Sequence, residues 1–206
     1  MLAPLGESVV RDVVSIGIIV IAGIALAGCA RDPYVTGRSE TRSGEWRITH
    51  QIDRVTGSEL PSAYVFAEAS HSNLKYPRVS SLLLTCLPGN RPLIRFAFDF
   101  KIGGNQNTLL GYRFDDLPGH DDVPIRIVRG SQIITMEDPD AIAQFIAELE
   151  KAQTLYVRIR SINGGRTAVE YPVHHAWGAL RAAFARCGMP APARLDPGRT
   201  ALPGIY

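Results

Sequence analysis

Leu26, Ala27, Gly28 and Cys29 place a thiol at the end of a run of small side chains. Upstream, residues 13–27 read VVSIGIIVIAGIALA. That apolar run of about 15 residues suits the core of a signal peptide and falls short of the roughly 18–20 that cross a bilayer as a helix. A branched residue, two small residues and a cysteine form a lipobox. The small side chains let the backbone enter a peptidase site, and the thiol takes a diacylglycerol through a thioether. The expectation is cleavage between Gly28 and Cys29, with a palmitate-bearing anchor on Cys29. The competing arrangement is a signal anchor with an incidental cysteine. The residues ahead of the apolar run are less basic than a leader needs, because Glu7 and Asp12 outnumber Arg11. Translation from Val9 or Val10 would remove Glu7 and leave Arg11 beside the initiator amine.

Cys86 and Cys187 remain once Cys29 is acylated. In an oxidising compartment two leftover thiols are expected to pair. The loop so closed spans about 100 residues, worth about 4–5 kcal/mol in the chain-entropy model. Two separate buried thiols are the alternative. A zinc site is not indicated, because neither cysteine belongs to a C-x-x-C pair.

Asp115, Asp116, His120, Asp121 and Asp122 crowd one stretch. Carboxylates and an imidazole are donors for Ca²⁺ or a transition metal, and His120, Asp116 and Asp121 are the weak candidate ligands for metal-dependent hydrolysis. The spacing is not that of an EF-hand, so a solvated acidic turn is the simpler reading. His174 and His175 are adjacent, and on a helix their side chains diverge by about 100°, unlike the H-x-x-x-H pairs that chelate one ion. A helix-cap or surface role suits them better. There is no G-x-S-x-G nucleophile elbow. Gly103 and Gly104, followed by Asn105, Gln106 and Asn107, lack the lysine and following helix of a phosphate cradle and read as a turn. Arg158, Arg160 and Arg166 alternate along a strand-like run. They either face an anionic surface, such as lipopolysaccharide or phospholipid headgroups, or form the wet face of an antiparallel sheet. No catalytic residue, resident metal or cofactor is assigned.

The elements that must hold these residues follow from composition and periodicity. The chain has 206 residues, 46% hydrophobic and 20% charged, with a formal net charge of +2. About 178 residues remain after the leader, enough for one domain with a real core. Their charge of about +3, without a basic patch interleaved with aromatics, argues against nucleic acid. Residues 29–45 read as the lipidated cysteine and a polar tether, 46–188 as a β-rich periplasmic domain, and 189–206 as a proline-rich disordered tail. Strand-like runs cover 46–55, 63–69, 79–86, 93–101, 108–114, 124–128, 132–136, 155–162 and 167–171. An Asn163-Gly164 pair between the last two signals a hairpin, because both residues tolerate positive φ. Asp138 as N-cap and Pro139 at N1 open a helix whose apolar face is Ile142, Phe145, Ile146 and Leu149. A second helix runs from about His175 to Arg186, with Trp177, Leu180 and Phe184 as its stripe and Gly188 as its stop. The expected class is mainly β, a sandwich-like antiparallel sheet with two helices, α+β.

The succession of an early tryptophan strand, SLLLTC, GYRFDD, DPDAIAQFIAEL, TLYVRIRSINGGRTAVEYPV and a last helix ending GALRAAFARC resembles the VasI-like small secreted proteins found with type VI secretion clusters. The resemblance covers residues 46–187. It implies an accessory role in the envelope and supplies no catalytic residues. The family's tryptophan after the arginine-bearing strand is missing, since that stretch reads LPGHDDVPIRI here. Ala30 follows the lipidated cysteine where an aspartate would retain a lipoprotein at the inner membrane, and resemblance to Gram-negative lipoproteins therefore implies the outer membrane. Two functions are carried forward. One is a lipid-anchored periplasmic binding or accessory protein with a protein partner in the envelope. The other is a lipid-anchored metal-dependent hydrolase using the 115–122 stretch.

Overall fold

The computed structural model describes residues 34–104, 107–128 and 130–188. The expected cleavage site at Gly28 and Cys29, the leader and the tail beyond Gly188 lie outside them. Strands β1 to β5 are Val35–Ser43, Trp46–Asp53, Ser62–His71, Arg78–Leu87 and Arg91–Phe98. Thr108–Phe114, His120–Val123, Arg126–Val128 and Ile133–Met136 are β6 to β9. Helix α1 (Pro139–Leu149), the hairpin β10 (Thr154–Ser161) and β11 (Gly165–Pro172), and helix α2 (Ala176–Ala183) complete the order. Among the described residues the class is mainly β with two helices, as the alternation indicates.

All strand pairs are antiparallel and belong to one sheet, ordered β7-β6-β10-β11-β3-β4-β5-β9-β8. The sheet forks at β3. One edge of β3 pairs with β2 near Ser62–Tyr64 and with β11 near Ala69–His71. The sandwich-like character therefore comes from one sheet curling on itself, and α1 fills the curl. Phe145 of α1 lies against Tyr112 and Phe114 of β6 at 5.0 and 4.9 Å and against Phe96 of β5 at 6.2 Å. One ring thus joins both arms of the curl through edge contacts that aromatic rings favour. The N-cap is the one the sequence marks: the Asp138 carboxylate accepts the Ala141 N–H at 2.9 Å. At the other end of the core the buried Trp46 indole N–H donates to the Val173 carbonyl at 3.1 Å. Among the described residues the buried apolar side chains run from Trp46 to Phe184.

Four expectations need correction. The stretch read as tether contains β1, which pairs with β2 from Val35↔Asp53 to Ser43↔Trp46. Its residues are nearly all exposed on both faces, so it has no apolar alternation to read and is held by backbone hydrogen bonds. The acidic stretch contains the short edge strand β7, on β6. Helix α2 is shorter than expected and ends at Ala183, where a turn from Phe184 accepts the Cys187 N–H at 3.0 Å. Leu180 within it and Phe184 at its C-cap are buried, but Trp177 is half exposed and carries the Arg181 guanidinium at 5.8 Å. Cys86 at the end of β4 and Cys187 after α2 are joined as a disulfide with Cα atoms 5.8 Å apart, which pins the terminal helix to the sheet.

Candidate functional site

On β10 the side chains alternate strictly. Leu155, Val157, Ile159 and Ser161 are buried, while Tyr156, Arg158 and Arg160 are exposed. Pairing aligns Arg158 with Gly111 on β6 and with Ala168 on β11, and Ala168 with Ser70 on β3. This row, with small residues at Gly111, Ala168 and Ser70 flanking Arg158, crosses four strands and lines an open groove of about 740 Å³. Tyr156 lines one wall, with the Arg113 guanidinium 5.1 Å from its ring centre.

Two residues of the acidic stretch reach this groove, and they part company there. His120 Nε2 lies 2.8 and 3.1 Å from the two carboxylate oxygens of Glu148 on α1. A carboxylate only accepts, so Nε2 carries the proton. The His120 ring also lies 4.6 Å from that of Tyr112. Burial, together with the Glu148 charge, pushes the Tyr112 phenol well above its ordinary value. Asp121 turns the other way and accepts from Arg158 at 2.9 Å and Arg160 at 3.2 Å. The Arg158 hydrogen bond is the main cause holding its carboxyl below the ordinary range. Gly111 makes this crossing possible. A Cβ there would sit 2.8 Å from Asp121 Oδ1, which would have to shift, and 3.0 Å from the His120 carbonyl, tighter than ordinary contact.

The Asp115 carboxylate accepts the backbone N–H groups of Gln153 and Thr154, at 2.8 Å for the latter, and so joins β6 to the start of β10. Asp116 is exposed, and Asp122 sits at φ 55 within β7, where the pairing with β6 is irregular. Among the described residues no group of three or more His, Cys, Asp or Glu side chains is placed to hold a metal ion. His175 is the N-cap of α2 in the left-handed region, and its ring meets that of His174 edge-on at 5.1 Å. Gly103 is a point of close approach: a Cβ there would overlap Ser161 Oγ at 2.2 Å.

The sequence singled out His120, Asp121, Arg158 and Arg160 but neither their pairing nor Glu148, Tyr112 and Gly111. Glu148 lies 28 residues from His120, and nothing local marks it as a partner. In chemical terms β7 is clamped in two directions, to α1 through His120–Glu148 and to β10 through Asp121.

No family model matches the chain, and no curated protein matches it. Among solved structures it is similar to the crystal structure of invasion associated protein B from Bartonella henselae. The identity is 12%, the match covers 71% of this chain and 96% of that chain, and the TM-score is 0.47.

Proposed function

We propose that the chain is a lipid-anchored protein on the periplasmic side of a bacterial membrane, where it binds a partner and transforms no substrate. The observation that carries the export half is the Leu26–Cys29 lipobox behind its apolar run. The Cys86–Cys187 disulfide supports it, because such bonds persist in oxidising compartments and are rare in the cytosol. Support for binding over catalysis comes from the clamps. A metal-dependent hydrolase would need His120 to leave Glu148 and Asp121 to leave both arginines. The open groove over β6, β10, β11 and β3 offers alternating charge and small residues flanking Arg158, which suits recognition of a protein partner. The resemblance to VasI-like proteins directs the search for that partner to secretion-system components, and Ala30 favours the outer membrane.

Metabolic labelling with palmitate, followed by fractionation, tests the reading. Label on the wild-type chain and its loss in Cys29→Ser, with the variant moving from membrane to soluble fraction, is the expected result. A wild-type chain that takes no label, or a Cys29→Ser chain that keeps it, refutes the anchor.

A further inference from the structure

Three loops meet at the end of the sheet where β3 finishes. The turn after β3 is joined to the β10–β11 hairpin. The Ser72 N–H donates to the Arg166 carbonyl at 2.9 Å, and the Arg166 N–H donates to Ser72 Oγ at 3.0 Å. Asn73 Nδ2 donates to the Gly164 carbonyl at 3.4 Å. Gly164 in turn packs on the third loop, where a Cβ would sit 2.5 Å from the Ile102 carbonyl. These contacts join the described parts of the three loops. What they hold outward is unusual for loop tips. Ile162 is 84% exposed and Tyr76 67%, with Leu74 and Leu109 also exposed. Around them stand Lys75, Arg78, Lys101, Arg160 and Arg166, all exposed. The carboxylate these loops contribute is Asp99, which Arg78 pairs at 2.9 Å, while Asp121 reaches Arg160 from below. Lys75 lies 5.3 Å from the Tyr76 ring centre, a cation beside an exposed aromatic.

Exposed apolar tips inside a basic ring complement one surface in particular. Anionic headgroups attract the cations, and the acyl boundary beneath takes the apolar side chains. We propose that this end of the domain docks on the surface of an anionic phospholipid bilayer. Ile162 and Tyr76 enter the interface, and Lys75, Lys101 and Arg166 meet phosphate groups. Charge complementarity selects this occupant, since the patch is strongly basic on a domain whose chain is near neutral overall. Val35 pairs with Asp53, beyond the start of β3 and so away from the patch. The docking does not depend on Cys29.

Residues 35–206, which carry every buried apolar side chain among the described residues and the disulfide, are exported to an oxidising compartment, purified and sedimented with vesicles. Pure phosphatidylglycerol is compared with pure phosphatidylcholine. The domain is expected to sediment with the first and not the second, and added salt is expected to release it. Lys75→Gln and Lys101→Gln should each weaken binding about fivefold. Ile162→Ser should weaken it about tenfold. Arg38→Gln, on β1, should leave it unchanged. Thermal melts of each variant confirm that the fold is intact, since all these side chains are exposed. If the folded domain stays in solution with phosphatidylglycerol, the proposal is overturned and a protein face is left as occupant. It is equally overturned if Arg38→Gln weakens binding as much as Lys75→Gln does. Failure here leaves the palmitate result untouched, because Cys29 is absent from the tested chain.

Discussion

Gly111 and Asp121 show how one missing side chain organises a surface. Asp121 crosses β6 to reach the arginines of β10, and it does so through the space a Cβ at position 111 would fill. Gly111→Ala is expected to push β7 off β6, release Arg158 and Arg160, and cost about 1–3 kcal/mol in chemical denaturation. Asp121→Asn keeps the space but removes the charge, so the Arg158 side-chain resonances should shift in NMR spectra while the β6–β7 backbone pairing persists. The sequence marks these residues only in part. Strict alternation on β10 puts Arg158 and Arg160 on the wet face. The partner that crosses to meet them comes from a strand 37 residues away. Side-chain ties between distant elements leave no local pattern, and His120–Glu148 is hidden for the same reason.

At the level of elements, legibility follows burial. Helix α1 was readable because its cap, its proline and its apolar stripe all point to one start and one buried face, and Asp138, Ile142, Phe145, Ile146 and Leu149 do what that pattern requires. The β10–β11 hairpin is legible from its alternation and its glycines, but the positive φ falls on Gly165 and not on Asn163 or Gly164. Strand β1 was not, because an edge strand wet on both faces carries no apolar period, and β7 is too short to show one. Two substitutions measure how much α1 contributes. Asp138→Ala removes the carboxylate that accepts the Ala141 N–H and is expected to cost about 1 kcal/mol. Phe145→Ala removes the ring that joins the two arms of the curled sheet and is expected to cost about 3–5 kcal/mol. A smaller loss for Phe145→Ala than for Asp138→Ala would contradict the placement of α1 as the plug of the curl.

For the whole molecule, pH and redox state set the limits. Asp53 is held below its ordinary value of 3.8 by the Thr56 and Val55 N–H groups, Asp121 by Arg158, and Glu137 below 4.5 by Arg126. Their folded values are depressed, so the stability they contribute is present above about pH 4–5 and lost as pH falls through those lower values. Burial raises the phenols of Tyr112 and Tyr171. In the unfolded chain they ionise near pH 10, whereas the fold keeps them protonated, so stability declines as pH rises above about 10. Denaturation midpoints followed across pH should show a plateau between these limits. Reducing the Cys86–Cys187 bond should cost about 2–5 kcal/mol and free the C-terminal helix first.

The account rests on the chain reaching an oxidising compartment by way of acylation at Cys29, and mass spectrometry of the mature protein's first peptide reads this directly. An N-terminus beginning at Cys29, heavier by a diacylglycerol, is the predicted result. A first peptide that retains the apolar 13–27 run, or one that starts at Cys29 with a bare thiol, contradicts it.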